Sequence, residues 1–385
     1  MVVQAFPESI QALLPRIRER REEIEEARQV PADLAEALGA TGIYRLLLPK
    51  DLGGTGVDHP ADAFRAIELV SAADGSTGWC AMLGIGSGHV AGQMRPDGAR
   101  DVFADPDRPK ALVAEPAGVA VRTADGVRIS GRWRFASGIT HSDWVVVGAV
   151  VMQDGAPVMT PHGPDIVHGF IPRDAVTVHD TWHVSGLCGT GSHDVSCQDA
   201  DVPAARVLSL FNPEPPRPDL LYRLPVLAGV APSISAVALG IARAALDELQ
   251  EMAPSKTPTL SQSPLREKPV AQAEIARAEA ALGGARAFMY DALDDLWQTV
   301  ACGQEPALRQ QALLRAACVQ ATETAASVTR TASTLAGSTS VYRASSLQRH
   351  ARDADVITHH FTQAPHVWED AGRALLGLQP HAFLF

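Results

Sequence analysis

Two adjacent histidines, His359 and His360, are the residues of this chain best suited to proton chemistry. They lie in the stretch Ser346–Gly377, whose composition favours a helix and which also carries arginine and aspartate. Polar groups that leave water need partners, so burying this set would be costly unless it has a use. An imidazole titrates near neutral pH and can hydrogen-bond or transfer a proton. We therefore expect this helix to form one wall of an active site.

A second set of candidates lies in the glycine-rich turn Gly186–Gly191 and in Ser192, which follows it. The glycines would let the backbone approach a phosphate or a ribityl chain, with the hydroxyls of Thr190 and Ser192 as donors. The same pattern also fits an ordinary glycine-rich loop. Because the turn precedes a β-like run and does not open a βαβ unit, we expect no nicotinamide-binding domain of the GxGxxG kind.

The elements that must position these residues change character twice along the chain. Residues up to about 109 have helical patterns, and the small-residue segment Ala73–Met94 is expected to pack tightly against neighbouring backbone. From Ala111 to about Val207, β-branched runs alternate with turns, and Asp125–Gly126 between two such runs predicts a hairpin. After the proline-rich Phe211–Asp219, helical segments are predicted over Pro225–Met252, Pro269–Val300, Pro306–Leu335 and Ser346–His360.

This order predicts an α+β, mainly α fold. We expect three domains: an N-terminal helical domain over residues 1–109, a central antiparallel β domain over residues 110–215, and a C-terminal four-helix bundle over residues 216–385.

Composition excludes several classes of function. The net charge of −11 and the absence of a basic run argue against a nucleic-acid partner. The 5 cysteines are scattered without a CxxC pair, so neither a disulfide framework nor a metal site is expected. No signal peptide is apparent, and the apolar run near Leu224–Leu239 falls short of the roughly 20 residues of a membrane span. We expect a cytoplasmic protein without a membrane partner.

Several stretches in this order resemble the acyl-CoA dehydrogenase superfamily. LCGTGSHDVSCQDADVP, residues 187–203, is similar to a GLRGTGSxDV…VP segment there, and GRWRFASGITHSDWVVVGA, residues 131–149, matches the strand and turn that lie against the flavin ring. DGSTGW, residues 74–79, and AGSTSVYRASSLQRHARDA, residues 336–354, complete the set. The resemblance covers about the whole chain and implies the fold of that superfamily.

The resemblance leaves two chemistries to separate. Acyl-CoA dehydrogenases remove a proton with a carboxylate, usually a Glu just after the RDA segment, but residues 356–366 contain no Asp or Glu and hold His359 and His360 instead. FASGITHSDW and the histidine pair look more like the flavin-dependent monooxygenase branch. We therefore expect a hydroxylase or N-oxygenase that uses a C4a-hydroperoxyflavin on a small aromatic, polyketide or amine substrate. The alternatives are a dehydrogenase-like flavoenzyme that desaturates an acyl thioester, and a flavin-free binding protein.

The resemblance also implies roles for individual residues. His360 and Ser137 would be catalytic, with Ser137 against flavin N5. The alternatives are salt bridges for the arginines below, core packing for Trp144, a turn residue for Ser137, and structural roles for His89, His359 and His360. The implied cofactor-binding residues are Ser137, Trp144, Gly189, Thr190, Ser192, Arg266 and Arg349, and the implied substrate-pocket residues are His89, His141 and His359.

The same resemblance implies the cofactor and the partners. Reduced FAD or FMN is expected, with no metal. O2 and a small-molecule substrate would be the reactants, and a separate NAD(P)H-dependent flavin reductase would supply the reduced flavin. Family members assemble through the C-terminal bundle, so a homotetramer is expected.

Overall fold

The computed structural model describes residues 8–161, 163–210 and 217–381, and it confirms the predicted order of helices, sheet and helices. The helices before the sheet are α1 (Glu8–Glu19), α2 (Arg21–Ala27), α3 (Ala32–Ala40), α4 (Pro60–Ala73), α5 (Gly75–Gln93) and α6 (Pro96–Val102). The helices after it are α7 (Val226–Met252), α8 (Pro269–Ala301), α9 (Leu308–Ala336), α10 (Ser346–Ile357) and α11 (His366–Leu375).

Helix α5 begins at a cap that its sequence specifies. Asp74 Oδ1 accepts hydrogen bonds from the Thr77 backbone N–H at 2.7 Å and the Thr77 hydroxyl at 2.8 Å, as an N-cap aspartate does. The helix approaches its neighbours closely, as predicted for its small residues. A Cβ on Gly78 would lie 2.0 Å from Ser71 Oγ, and one on Gly88 would lie 2.9 Å from the Leu48 backbone nitrogen.

The strands are β1 (Lys110–Arg122), β2 (Gly126–Trp133), β3 (Trp144–Gln153), β4 (Ala156–Pro157), β5 (Met159–Thr160), β6 (Gly163–Pro164), β7 (Ile166–Pro172), β8 (Thr177–His179), β9 (Asp194–Pro203) and β10 (Val207–Leu208). The sheet has the order β10-β7-β3-β1-β2-β9-β8, with β4 on β3, and a separate pair joins β5 and β6. The predicted hairpin at Asp125–Gly126 is confirmed, since β1 and β2 pair antiparallel up to Arg122 and Val127. The central β1–β3 pair is parallel and the other strand pairs among the described residues are antiparallel, so the sheet is mostly antiparallel.

The predicted domain boundaries fall at two different kinds of place. The first, after residue 109, coincides with the start of β1 at Lys110. The second, after residue 215, and most of the proline-rich stretch lie in residues 211–216, outside the described residues. The division into three domains therefore stays a prediction.

Three of the four predicted C-terminal helices agree with the structure to within two residues at either end, but the fourth is wrong at its end. Helix α10 ends at Ile357, so His359 and His360 lie in the turn before α11 rather than on a helix. The Thr358 hydroxyl donates to the Asp355 carbonyl at 2.6 Å. The N–H groups of residues 358–360 donate to carbonyls three residues back, which tightens the last turn and ends the helix.

Helix α7 forms the middle of the C-terminal helices. It packs against α4, α5, α8, α9 and α10. By length and composition alone it could cross a membrane, but 78% of its most apolar window is buried inside the protein. A core helix that is apolar on all sides has the same composition.

Candidate active site

Two turns that are far apart in sequence meet at one end of the sheet. Strands β2 and β9 are neighbours, with Trp133 opposite Val195. The turn that follows β2 therefore lies beside the turn that precedes β9. The Gly138 N–H donates to the Thr190 carbonyl at 2.8 Å, and the Ala136 N–H donates to the His193 carbonyl at 3.1 Å. The sheet register thus fixes the FASG and GTGS segments against each other.

Three hydroxyl side chains from these turns form a chain that we call the hydroxyl cluster: Ser137, Thr190 and Ser192. Ser137 Oγ and Thr190 Oγ1 each lie 2.6 Å from Ser192 Oγ. All three residues are buried. Hydroxyls both donate and accept, so the cluster can bind a group whose protonation changes with its redox state.

Trp79 of α5 connects the hydroxyl cluster to His360. Its indole N–H donates to Ser137 Oγ at 3.2 Å, and its ring packs edge-on against the His360 ring at a centroid distance of 5.9 Å. Residues from the first helices, the sheet and the C-terminal turn thus meet at one place. Trp79 belongs to the DGSTGW segment, and the sequence pattern predicts no individual role for it.

His360 is a neutral hydrogen-bond donor in this environment. Burial, followed by the charge of the Arg315 guanidinium, lowers the pKa of His360 to about 4. The Thr362 backbone N–H points at His360 Nδ1 at 3.3 Å, and Thr362 Oγ1 lies 2.9 Å from the same nitrogen. An Nδ1 that accepts a hydrogen bond leaves the single proton of the neutral ring on Nε2. We therefore assign the Nε2–H tautomer.

His359 is placed differently. Its side chain is exposed, and no contact joins it to Trp79 or to the hydroxyl cluster among the described residues. Of the two histidines, the structure brings only His360 into the group.

The acids nearest to this turn are occupied elsewhere. Asp353 is buried, and its Oδ1 accepts a hydrogen bond from the Leu187 N–H at 2.6 Å. Asp355 pairs with Arg330 at 3.1 Å on the surface. Residues 356–366 supply no carboxylate. The position just after the RDA segment therefore presents an imidazole and no carboxylate.

Two aromatic rings, one exposed and one half-buried, lie beside the two turns. Phe135 is 57% exposed and has a φ of 62°, a backbone conformation that aromatic residues rarely adopt. Its ring meets Trp182 edge-on at 6.0 Å. Strained backbone that holds an apolar ring in solvent is typical of a ligand-binding position. No sequence pattern indicates Trp182, although Phe135 lies only two residues before Ser137.

One face of α5 borders open space next to this group. Trp79, Leu83, Gly86 and His89 are half-buried, whereas every other residue of α5 is buried. Their spacing of three or four residues places them on one side of the helix. A Cβ built on Gly86 would meet no atom within 4 Å outside its own helix backbone. This face has the room and the apolar character of a substrate pocket.

The two other predicted pocket histidines are neutral. His89 packs against the Tyr222 ring at 5.8 Å, and burial lowers its pKa to about 4. His141 lies beside Gly138, and burial lowers its pKa to about 4 as well. His141 Nδ1 is buried without a hydrogen-bond partner. His89 is thus on the open face of α5, and His141 is behind the Ser137 turn.

Two predicted cofactor-binding residues pack against protein atoms. The Trp144 ring lies under the Arg206 guanidinium at 4.7 Å. A Cβ on Gly189 would lie 2.1 Å from the Ile24 side chain. The tight approach of the turn to α2 thus accounts for this glycine without any ligand.

The two predicted arginines lie apart from the hydroxyl cluster. Arg349 is buried and forms an ion pair with Glu25, which also pairs with Arg352. Arg266 is exposed, and its backbone N–H donates to the Ala253 carbonyl at 3.1 Å. Arg349 would have to give up its acid partner to bind a phosphate, whereas Arg266 is open to solvent.

A flavin fits the donor set of this site. The hydroxyl cluster offers neutral donors and acceptors, and Phe135 and Trp182 offer ring surface beside it. Within the described residues, no group of three or more His, Cys, Asp or Glu side chains is placed to hold a metal ion.

Known proteins are similar to this chain over nearly its whole length. Family models match for the acyl-CoA dehydrogenase N-terminal domain over residues 4–98 and the acyl-CoA dehydrogenase C-terminal domain over residues 233–365. Indole-3-acetate monooxygenase from Pseudomonas putida is 34% identical over 374 residues, which cover 97% of this chain and 94% of that protein. The oxygenase subunit HsaA of a flavin-dependent monooxygenase from Rhodococcus jostii is 31% identical, over 92% of this chain and 94% of that protein.

Solved structures give the same picture. The crystal structure of 3-HSA hydroxylase from Rhodococcus sp. RHA1 superposes with a TM-score of 0.90 at 30% identity, over 98% of both chains. XiaF from Streptomyces sp., in complex with FADH2 and glycerol, superposes with a TM-score of 0.90 at 25% identity, over 99% of this chain and 97% of that one. One of these similar proteins thus binds a reduced flavin in this fold.

Proposed function

Because this chain belongs to the acyl-CoA dehydrogenase family and, within it, to the flavin-dependent monooxygenase oxygenase components, we propose that it transfers one oxygen atom from O2 to a small aromatic substrate. Reduced flavin supplies the two electrons. One O2 and one reduced flavin are consumed, one oxygen atom goes to the substrate and the other leaves as water. Relatives named for indole-3-acetate and for resorcinol favour an aromatic substrate over an amine or a polyketide.

One observation carries this proposal: a neutral His360 occupies the place where a dehydrogenase needs a carboxylate. Its Nε2–H is a donor, and its ring packs against Trp79, which in turn bonds Ser137. Removal of an α-proton requires a base, and the nearby Asp353 is buried on the Leu187 N–H. A fixed neutral donor instead suits the transfer of oxygen, because it stabilises negative charge on an oxygen as a bond to that oxygen breaks.

The residues that hold the cofactor follow from the site. We propose that the hydroxyl cluster binds the polar edge of the flavin ring, with Ser137 closest to the reactive centre. Phe135 and Trp182 would contact the ring system from the exposed side. Trp79 fixes the Ser137 hydroxyl, and the α5 face around Gly86 would receive the substrate. The hydroxyls suit FAD and FMN equally.

The partners follow from what the site does. An oxygenase component of a two-component system receives reduced flavin from a separate reductase, and we propose an NAD(P)H-dependent one in the cytoplasm. We also propose a homotetramer assembled through the C-terminal helices, with Arg266 toward the flavin of a neighbouring subunit. Val341, Tyr342 and Leu376 support this assembly, since they are 81%, 72% and 81% exposed on the C-terminal segments.

The test is labelled oxygen transfer without the reductase. The protein is mixed anaerobically with chemically reduced FAD or FMN and then with 18O2, in the presence of indole-3-acetate, resorcinol and related arenes. We expect one labelled oxygen atom in a hydroxylated product and a transient absorbance change that precedes reoxidation.

An opposite result would support the dehydrogenase alternative. In that case, an acyl-CoA panel would bleach the bound oxidised flavin without O2, and no arene would gain label. A protein that binds neither oxidised nor reduced flavin would instead be a flavin-free scaffold.

A further inference from the structure

A buried arginine of α9 lacks the partners that its guanidinium needs. Arg315 is 4% exposed, and its Nε and Nη1 atoms have no hydrogen-bond partner. An unmatched buried cation is costly, because each lost hydrogen bond adds to the free energy of burying the charge. Burial disfavours the charged guanidinium and lowers the pKa of Arg315 from its ordinary value. A group of this kind calls for an anion.

Arg315 lines a small cleft between three helices. Leu227 and Ala228 of α7 form one side, Leu296 of α8 another, and Gln311 and Leu314 of α9 the third, with Pro225 at the start of α7. The lining is apolar apart from Arg315 and Gln311. The cleft has room for a group of a few atoms and not for an aromatic ring.

The charge of Arg315 reaches the active site. The guanidinium acts electrostatically on His360 and is among the causes that lower the pKa of that imidazole. The negative charge of Asp370 raises the pKa of Arg315 and so opposes the effect of burial. However, Asp370 Oδ1 accepts a hydrogen bond from the His381 N–H at 2.6 Å. Arg315 lines the cleft, and its Nε and Nη1 atoms have no bonded acid.

We propose that Arg315 binds the carboxylate of an aromatic acid substrate, while the ring of that substrate lies toward His360. A guanidinium offers parallel N–H donors that match two carboxylate oxygens. The apolar walls exclude water and strengthen the contact. This inference rests on the proposed function and adds to it: the substrate would be an arene with a short acidic side chain.

A flavin phosphate is a less suitable occupant. The cleft is lined only by α7, α8 and α9 and the residue before α7, whereas the hydroxyl cluster and Phe135 lie on turns of the sheet. The narrow cleft also fits the end of a small molecule better than a ribityl phosphate chain. The experiment distinguishes a bound flavin phosphate from a bound substrate carboxylate.

The experiment compares matched acids and amides in equilibrium binding, with no turnover. Titration calorimetry measures indole-3-acetate against indole-3-acetamide, and phenylacetate against phenylacetamide, on the full chain with bound flavin. The variants are Arg315→Met, which keeps an unbranched side chain but removes the charge and the donors, and Arg315→Lys, which keeps the charge. Arg330→Gln serves as the control, because Arg330 lies on the same helix but pairs with Asp355 on the surface.

We expect the parent protein to bind at least one acid more tightly than its amide. Arg315→Met should weaken binding of that acid about tenfold or more and change binding of the amide less than about twofold. Arg315→Lys should recover part of the preference, and Arg330→Gln should match the parent. The thermal midpoint of each variant checks folding.

Three results would overturn the proposal. The parent shows no preference for any acid over its amide; Arg315→Met weakens the acid and the amide equally; or Arg315→Met weakens flavin binding or changes the oligomeric state instead of the acid preference. Failure of the proposed function is separate. If no arene gains 18O while the acid preference still depends on Arg315, the anion site stands and the monooxygenase assignment falls.

Discussion

Two buried polar groups meet in the stretch from Ser346 to Gly377, and they differ in whether their members have partners. The first, which we call the ion network, consists of Glu25, Arg349, Arg352 and Asp353. Glu25 pairs with both arginines, Arg352 also donates to the Ser185 carbonyl, and Asp353 accepts from Leu187. None of these four residues has a buried side-chain nitrogen or oxygen that lacks a hydrogen-bond partner.

The second group is the proposed active site around His360, and it holds polar atoms without a hydrogen-bond partner. His360 keeps a neutral Nε2–H, Arg315 keeps two unmatched donors, and Phe135 stands exposed beside the hydroxyl cluster. The two groups contain similar residue types. The number of bonded partners separates a group that holds helices together from one that can bind a ligand.

The largest effect is expected from breaking the ion network. Glu25→Ala removes the acid shared by Arg349 and Arg352 and should lower the free energy of unfolding by about 3 kcal/mol, because two partly buried cations lose their partner. Urea denaturation measures this. Glu23→Ala is the control, since Glu23 pairs with Arg20 on the surface and should change stability much less. Equal losses in the two variants would show that the network contributes little.

The second effect tests the active site. His360→Ala should reduce product formation about 100-fold, or about 2.7 kcal/mol of barrier, and divert O2 to free hydrogen peroxide, because the fixed donor is lost. Flavin affinity should stay within about twofold of the parent. His359→Ala is the matched control, with an exposed neighbouring side chain. Product and peroxide are measured together, and unchanged coupling in His360→Ala would assign His360 a structural role only.

The third effect concerns how pH acts on the ion network. Burial raises the pKa of Asp353 to about 7, above the value of about 4 of an unfolded aspartate. Between about pH 4 and pH 7, Asp353 is therefore protonated in the folded state and ionised in the unfolded state. For a rise of one pH unit within that window, the parent should lose up to about 1.4 kcal/mol of stability relative to Asp353→Asn.

Urea denaturation of both proteins at several pH values measures this difference. Parallel stability curves for the parent and Asp353→Asn would mean that Asp353 is ionised in the folded state throughout.

The smallest effect returns to the hydroxyl cluster. Ser137→Ala removes one hydroxyl from a bonded set and should weaken flavin binding about fivefold, equivalent to about 1 kcal/mol. Ser130→Ala, whose hydroxyl bonds Asp199 across β2 and β9, should leave flavin affinity unchanged. Fluorescence titration with oxidised flavin measures both. If the two variants bind flavin equally, Ser137 belongs with the structural residues.

Local chemistry made much of this fold predictable. Asp125–Gly126 specified a hairpin, and small residues specified the close packing of α5. Family motifs, rather than residue spacing, predict that Ser137, Thr190, Ser192 and His360 lie together. These residues are up to 223 positions apart in the sequence. Sheet register and helix packing, which motifs only imply, bring them together.

Other features depend on contacts that no local pattern reveals. The parallel pairing of β1 with β3 is set by the order of strands in the whole sheet. The end of α10 at Ile357 depends on a side-chain bond from Thr358, which competes with continuation of the helix. Arg315 looks like an ordinary residue of an alanine-rich helix, and only its missing partners in the fold single it out.

Gly86 shows what the open face of α5 implies for how this protein could change. A glycine inside a helix costs about 1 kcal/mol relative to alanine, and at this position nothing outside the helix would obstruct a methyl group. The chain therefore gives up helix stability for empty volume next to His89 and Leu83. A single larger side chain at this site would shorten the space available to a substrate. The residue at position 86 therefore sets the length of substrate that the pocket accepts, and one substitution could change it.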